Sequence, residues 1–279
     1  MATFTFARNE TKYLLAPDQL EGLMGAAGGL LVPDAWGPTT VRSLYCDTPT
    51  RLLVRRSCEA PRYKEKIRIR SYRPAGPDDE VFLELKKKCD GVTYKRRAAM
   101  TLRRALAFVD GRGDPATQIE RELDFAARRY EGLAPVMLTA CERQAFLGEG
   151  GDGLRLTFDR GIRYRDCGAE GLSGEADGTG LIGDGMCLLE VKCGDAMPLW
   201  LARALAGVGA RRTGFSKYGR AWQDEVARAR AAATPQGIVV NAMRGPAMAP
   251  AGRQAAAGRR AVPATRPVTG WDTRVAGVA

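Results

Sequence analysis

Three stretches of the chain repeat one pairing of a carboxylate with a lysine two residues on: Glu10-x-Lys12, Glu84-x-Lys86 and Glu190-x-Lys192. A fourth, Lys64 to Tyr72, alternates with period two, setting Lys64, Lys66, Arg68, Arg70 and Tyr72 against Ile67 and Ile69. Such alternation reads as strand, with each set on its own face. Like charges along one strand face repel one another. A polyanion lying between them would relieve that repulsion. Lysine and arginine neutralise phosphate oxygens, arginine bidentately. Interspersed carboxylates hold Mg²⁺ or Mn²⁺, which take oxygen ligands and bridge to phosphates. Phosphoryl transfer asks chiefly for positioning and charge stabilisation, and these residue types supply both.

The sequence contains no histidine. That excludes His-based triads, phosphohistidine intermediates and imidazole metal sites. The two G-x-G-x-x-G matches, Gly148 to Gly153 and Gly178 to Gly183, do not sit between a strand and the helix it opens, and no Walker A sequence occurs. Of the net charge of +11, +7 belongs to residues 228–279, which hold eight arginines and one acid, Asp272. The rest of the chain is only mildly basic, so an anion site must rest on where its charges lie. The seven cysteines include no C-x-x-C pair, and the N-terminus lacks a signal-peptide core. Free thiols in a reducing cytoplasm are therefore expected. No apolar run is long enough for a membrane helix.

The elements that would position these residues follow from pattern. Strands are expected at Phe4–Leu15, Thr40–Asp47, Lys64–Tyr72, Val81–Lys88, Val92–Arg97, Pro135–Leu147, Leu154–Phe158 and Cys187–Cys193. Helices are expected near 17–28, 52–58, 101–109, 117–130, 198–206 and 216–233. Nearly every strand carries one charged face, where an ordinary solvated face would show more Thr, Gln and Ser. The expected fold is α+β. About eight antiparallel strands close into a barrel, their charged faces line a polar tunnel, and amphipathic helices cover the apolar outside. Residues 1–233 form this domain. Residues 234–279, rich in Ala, Pro, Gly and Arg, read as a disordered tail.

Taken in order, the motifs resemble the VTC-type polyphosphate polymerase domain, within the triphosphate tunnel metalloenzymes of the CYTH-like superfamily. They are Arg8-Asn-Glu-Thr-Lys-Tyr13, Leu44-Tyr-Cys-Asp-Thr48, Lys66-Ile-Arg-Ile-Arg-Ser-Tyr72, Phe82-Leu-Glu-Leu-Lys86, Lys95-Arg-Arg97, Glu142-Arg143, Leu154-Arg-Leu-Thr-Phe-Asp159, Leu189-Glu-Val-Lys192 and Phe215-Ser-Lys-Tyr-Gly219. The resemblance implies an ATP-dependent phosphotransferase that lengthens polyphosphate with Mn²⁺ or Mg²⁺. It implies phosphate contacts and catalytic roles for Lys12, Arg68, Arg70, Lys86, Arg143, Arg155, Lys192 and Lys217, with substrate contacts from Lys66, Arg97 and Ser216. It implies a metal-holding role for Glu190, with Glu84 and Glu10 as second choices. Glu84 and Glu10 are each open to another reading, as partners of the neighbouring lysine. Ser216 can be a plain helix cap or an anion contact at a helix start. Lys66 is expected nearer a rim than Arg68 and Arg70.

The triphosphatase branch opens with Glu-x-Glu-x-Lys, where this chain has Arg8-x-Glu10-x-Lys12; one carboxylate is lost and a cation gained, which favours the polymerase branch. Cys141 stands where the family has Tyr. Two other functions stay open: a tunnel-type inorganic triphosphatase or nucleoside triphosphatase, and a non-catalytic binder of polyphosphate or RNA. The expected partners are ATP and polyphosphate rather than nucleic acid, with separate membrane or regulatory proteins as further candidates.

Overall fold

The computed structural model describes residues 9–59, 61–90, 92–151, 153–194 and 196–233. The expected tail, 234–279, and Arg8 lie outside the described residues. In chain order the elements are β1 (Asn9–Leu15), α1 (Pro17–Ala27), β2 (Leu31–Pro33), β3 (Thr39–Asp47), α2 (Leu52–Cys58), β4 (Tyr63–Ser71), β5 (Glu80–Cys89) and β6 (Val92–Thr101). They continue with α3 (Leu102–Val109), α4 (Gln118–Arg128), β7 (Ala134–Gly148), β8 (Arg155–Asp166), β9 (Thr179–Gly180), β10 (Cys187–Cys193), α5 (Leu199–Gly207) and α6 (Lys217–Ala233). No helix among the described residues is long and apolar enough to cross a membrane.

All ten strands belong to one sheet whose pairs are antiparallel. Its main path runs β1-β10-β8-β7-β3-β4-β5-β6, with β2 and β9 attached to β7 and β8. The sheet is not closed into a barrel, which corrects the sequence expectation. β1 and β6 stand at the two ends of the path and do not pair. The reason lies at the free edge of β1. Its backbone is taken by the segment before α6: Tyr13 forms a bridge with Arg212, and the Thr213 amide donates to the Lys12 carbonyl (2.8 Å). Side chains rather than a ladder span the gap, as Lys86 on β5 reaches Glu10 on β1 at 3.5 Å.

Period two sorts each strand into an apolar and a charged face. On β4, Ile67 and Ile69 are buried, while Lys66, Arg68 and Arg70 alternate with them. Ile67, Ile69, Val81, Leu83 and Leu85 pack with Ala105 and Phe108 of α3 and Leu123 and Ala126 of α4. α4 starts in a capping box: the Thr117 hydroxyl accepts from the Glu120 amide, and Glu120 accepts from the Thr117 amide. The opposite face curves around α6. There Val41, Tyr45, Met137, Cys141, Ile162, Tyr164 and Leu188 form a second core with Tyr218 and Ala221.

Candidate functional site

The charged face of the curved sheet gathers residues from eight strands, and strand register decides which of them meet. On one half, Lys66 of β4 lies opposite Lys86 of β5, which lies opposite Lys95 of β6. One step along, Arg68 faces Glu84 and Glu84 faces Arg97. One step further, Arg70 faces Phe82. β3 continues these rows with Tyr45 opposite Arg68 and Ser43 opposite Arg70. On the other half, Glu10 faces Lys192 and Lys12 faces Glu190. Lys192 and Glu190 in turn face Arg155 and Thr157. Asp159 lies between Leu188 and Arg143.

The first half is built on Glu84, which is 1% exposed. Its carboxylate meets Arg68 at 2.7 Å, Lys95 at 2.8 Å, Arg97 at 3.5 Å and Arg70 at 4.0 Å. Burial would raise its pKa, but Arg68, Arg70 and Lys95 outweigh that and hold it far below the usual carboxylate range. Arg68 also donates to the Tyr45 hydroxyl (3.2 Å), and Arg70 donates to Ser43 Oγ. Burial pushes the Tyr45 phenol up, yet Arg68, Lys66 and Arg70 bring it down to about 8. Among the described residues no carboxylate pairs with Lys66; its ammonium donates to Ser216 Oγ at 2.7 Å. Burial, aided by Lys12, Lys86 and Lys64 and opposed by Tyr45, lowers its pKa to about 8. Lys66 therefore sits against the start of α6 and not at an open rim.

The second half is built on Glu190 and Asp159. Lys12 Nζ stands between two carboxylates, 3.1 Å from Glu190 and 3.4 Å from Glu10, and donates to the Phe215 carbonyl at 3.1 Å. Lys192 and Arg143 approach Glu190 at 3.6 and 3.9 Å. Burial works to raise the Glu190 pKa, and Lys12, Lys217, Lys192 and Arg143 together drive it well below the usual value. Asp159 is wholly buried. It takes a bidentate pair from Arg143 (2.6 and 2.7 Å) and a close contact from Lys217. Arg155 reaches outward to Asp34 at 2.9 Å.

The first turn of α6 delivers Ser216 and Lys217 to both halves. The Ser216 hydroxyl accepts from the Gly219 amide at 3.2 Å, capping the helix while it receives Lys66. The helix is fixed in place by Tyr218, whose ring stacks on Tyr45 with centroids 4.5 Å apart and whose hydroxyl donates to Asp47 at 2.8 Å. Asp47 in turn accepts the Leu53 and Val54 amides at the start of α2. A Cβ at Gly219 would stand 3.3 Å from Ser216 Oγ, so glycine keeps this turn close.

Metal holding divides the three predicted carboxylates. Among the described residues no group of three or more His, Cys, Asp or Glu is placed to hold an ion. Glu10 and Glu190 do come together, and Lys12 shows that both stabilise a positive charge set between them. Two carboxylates suit Mg²⁺ or Mn²⁺ when phosphate oxygens and waters complete the shell. Glu84 lies on the other half, where Arg68 and Lys95 stand at its two oxygens in the place a cation would take.

Register thus brings Lys12, Lys86, Lys192, Arg143, Lys66, Arg68, Arg70 and Arg97 onto one concave surface, the start of α6 adds Ser216 and Lys217 through their contacts with Lys66 and Asp159, and Arg155 is left paired at the edge. Sequence reading missed Asp159, Tyr45 and Ser43 as site residues, although Asp159 shares the parity of Arg155, which it singled out. The pairing of Asp159 with Lys217, 58 residues away, leaves no local signal.

The model of one family, the VTC domain, matches residues 7–224. No curated protein matches the chain. Among solved structures, the PH1819 protein from Pyrococcus horikoshii OT3 is 13% identical, with a TM-score of 0.41 and coverage of 78% of this chain and 99% of its own. A "putative adenylate cyclase" from Bacillus halodurans is 12% identical, with a TM-score of 0.46 and coverage of 75% and 95%. With its motifs in register on one concave face and the family match running over 7–224, the chain belongs to the VTC domain family.

Proposed function

We propose that this protein is a metal-dependent phosphotransferase that moves the γ-phosphoryl group of ATP onto a polyphosphate chain. The observation that carries the reading is the concave face itself, where cations outnumber carboxylates and two carboxylates, Glu10 on β1 and Glu190 on the adjoining β10, share the ammonium of Lys12. A terminal phosphate oxygen attacks the γ-phosphorus, the bond from that phosphorus to the ADP oxygen breaks, and a new P–O–P link forms. The attacking oxygen is already anionic, so no histidine or other general base is needed. The demand falls on charge stabilisation and alignment.

Lys66, Arg68, Arg70 and Lys86 bind phosphate oxygens along β4 and β5. Lys12, Lys192 and Arg143 do so beside Glu190, with Arg97 and Arg155 at the margins. Asp159 orients Arg143 and Lys217, and Ser216 orients Lys66. Glu10 and Glu190 would hold Mg²⁺ or Mn²⁺, which when bound neutralises the oxygens of the transferring group. We assign the protein to the reducing cytoplasm on its seven cysteines, which include no C-x-x-C pair.

Purified protein given ATP with Mn²⁺ or Mg²⁺ is expected to yield ADP and long-chain polyphosphate in equal phosphate amounts. Orthophosphate as the only phosphate product would replace this reading with a tunnel-type triphosphatase. Tight polyphosphate binding without turnover would replace it with a binder.

A further inference from the structure

One aromatic ring lies on the charged face where the alternation would place another polar residue. Phe82 shares the parity of Glu84 and Lys86, between Arg70 on β4 and Ala99 on β6. Its strand neighbours Val81 and Leu83 are buried on the other face under α3 and α4. Phe82 therefore gains nothing from that core, and Ala99 opposite is too small to cover it. What does cover it is Arg97, whose guanidinium carbon lies 3.6 Å from the ring centroid. The same guanidinium stands 5.7 Å from the Tyr72 ring and donates to the Tyr72 hydroxyl at 3.1 Å. Tyr72 meets Phe82 edge-on at 5.9 Å and is 40% exposed.

We propose that Phe82, Arg97 and Tyr72 form the subsite for the base of the nucleoside triphosphate, at the end of the cation rows away from α6. The inference rests on the phosphate-binding reading and adds the nucleoside to it. Aromatic rings and guanidinium planes are the surfaces on which bases stack, and every base has a face to offer them. The spacing fits. Phe82 and Lys86 are four strand residues apart, roughly 13 Å, which leaves room for a triphosphate and its ribose. The γ-phosphate then lies near Lys86 and Lys66, beside Ser216 and Lys12, and the α-phosphate near Arg70. The stack offers planes more than hydrogen-bonding edges, so purines are accepted alike.

The test compares ATP with inorganic tripolyphosphate by titration calorimetry, on wild type, Phe82→Leu and Tyr72→Ala, with thermal melts to verify folding. Phe82→Leu is expected to weaken ATP about tenfold, within the range for one base stack, and to leave tripolyphosphate within twofold. Tyr72→Ala should show a smaller loss of the same kind, and GTP should match ATP on wild type. Equal losses for both ligands, or no loss for either, overturn the subsite. Wild type that binds tripolyphosphate but not ATP overturns it while leaving the phosphate site standing. Wild type that binds neither overturns both.

Discussion

Replacing Glu84 by Gln isolates the charge that holds half of the site together. The substitution keeps the volume and an acceptor oxygen for Arg68 but removes the anion shared by Arg68, Arg70, Lys95 and Arg97. Breaking a buried pair by deleting one partner costs about 3–5 kcal/mol. Lys95 and Arg97 have side chains 45% and 34% exposed, and water screens much of their share. The low end, about 3 kcal/mol, is therefore expected. For a domain of this size that corresponds to a fall in Tm of roughly 6–12 °C. In urea the midpoint should fall with the slope unchanged. The depressed Glu84 pKa fixes the pH dependence: its stabilisation is present above the unfolded carboxyl pKa and is lost as pH falls toward the folded value. The difference between wild type and variant should thus hold constant from about pH 5 to 8. Tripolyphosphate supplies the missing negative charge, so it should stabilise the variant more than wild type and narrow the gap in Tm. A concentration 100 times the wild-type Kd adds about 2.7 kcal/mol to wild type, and the same concentration adds more to the variant through its lower Kd. A gap that stays constant or widens on adding tripolyphosphate would refute the assignment of Glu84 as an internal counterion and return it to the metal or the substrate. A variant as stable as wild type would refute the energetics as well.

Three further outcomes follow from the same geometry. Glu190→Gln should cut metal-dependent turnover by about 100-fold or more while tripolyphosphate still binds without metal; unchanged turnover in a steady-state assay removes Glu190 from the site. Raising the pH from 7 to 9 deprotonates Lys66 and Tyr45, both near 8, and should weaken tripolyphosphate binding in calorimetry, with Lys66→Arg flattening the dependence. Folding stability should move the opposite way. Both folded pKa values lie below their ordinary 10.5 and 10.0, so the unfolded chain binds protons more tightly and stability rises with pH above about 8. Asp47→Asn should lower stability by about 2 kcal/mol in a denaturant melt, since it weakens the cap of α2 and the hold on Tyr218 together.

Faces were legible in the sequence and partners were not. Alternation marked Arg68 and Arg70 against Ile67 and Ile69, and the same rule placed Glu84, Lys86, Glu190 and Lys192 correctly. Where alternation breaks, reading stopped. The strand expected to end at Phe158 continues to Asp166 through a bulge at Gly161, which has φ +53°. An extra residue there shifts parity, so Arg155, Thr157 and Asp159 share the concave face with Ile162 and Tyr164 beyond it. Closure also escaped, because a strand pattern says nothing about who takes its edges. The edge of β1 went to Tyr13–Arg212 and Thr213, a segment with no strand signal of its own.

Carboxylates among the cations do not by themselves argue for a metal. Folding a strand face that carries Lys66, Arg68 and Arg70 without ligand requires negative charge nearby, and Glu84 supplies it from the opposing strand. Asp159 does the same for Arg143 and Lys217. A protein that only bound polyanions would need those two residues as much as an enzyme would. The discriminating feature is Glu10 beside Glu190, where two carboxylates share one lysine, and where burial and the Glu190 charge work to raise the Glu10 pKa while Lys86, Lys12 and Lys192 hold it below its ordinary value. Glu10 also serves Lys86 at 3.5 Å, so what sets the pair apart from Glu84 and Asp159 is that two carboxylates converge on one cation, the arrangement a divalent ion bridging to phosphate would use. Lys12 is the residue such an ion must displace or share. Lys12→Met should therefore raise the affinity for Mn²⁺ measured without phosphate, while Glu10→Gln should lower it; if the two variants change Mn²⁺ binding alike, the pair is another internal counterion and the case for metal-dependent transfer loses its structural support.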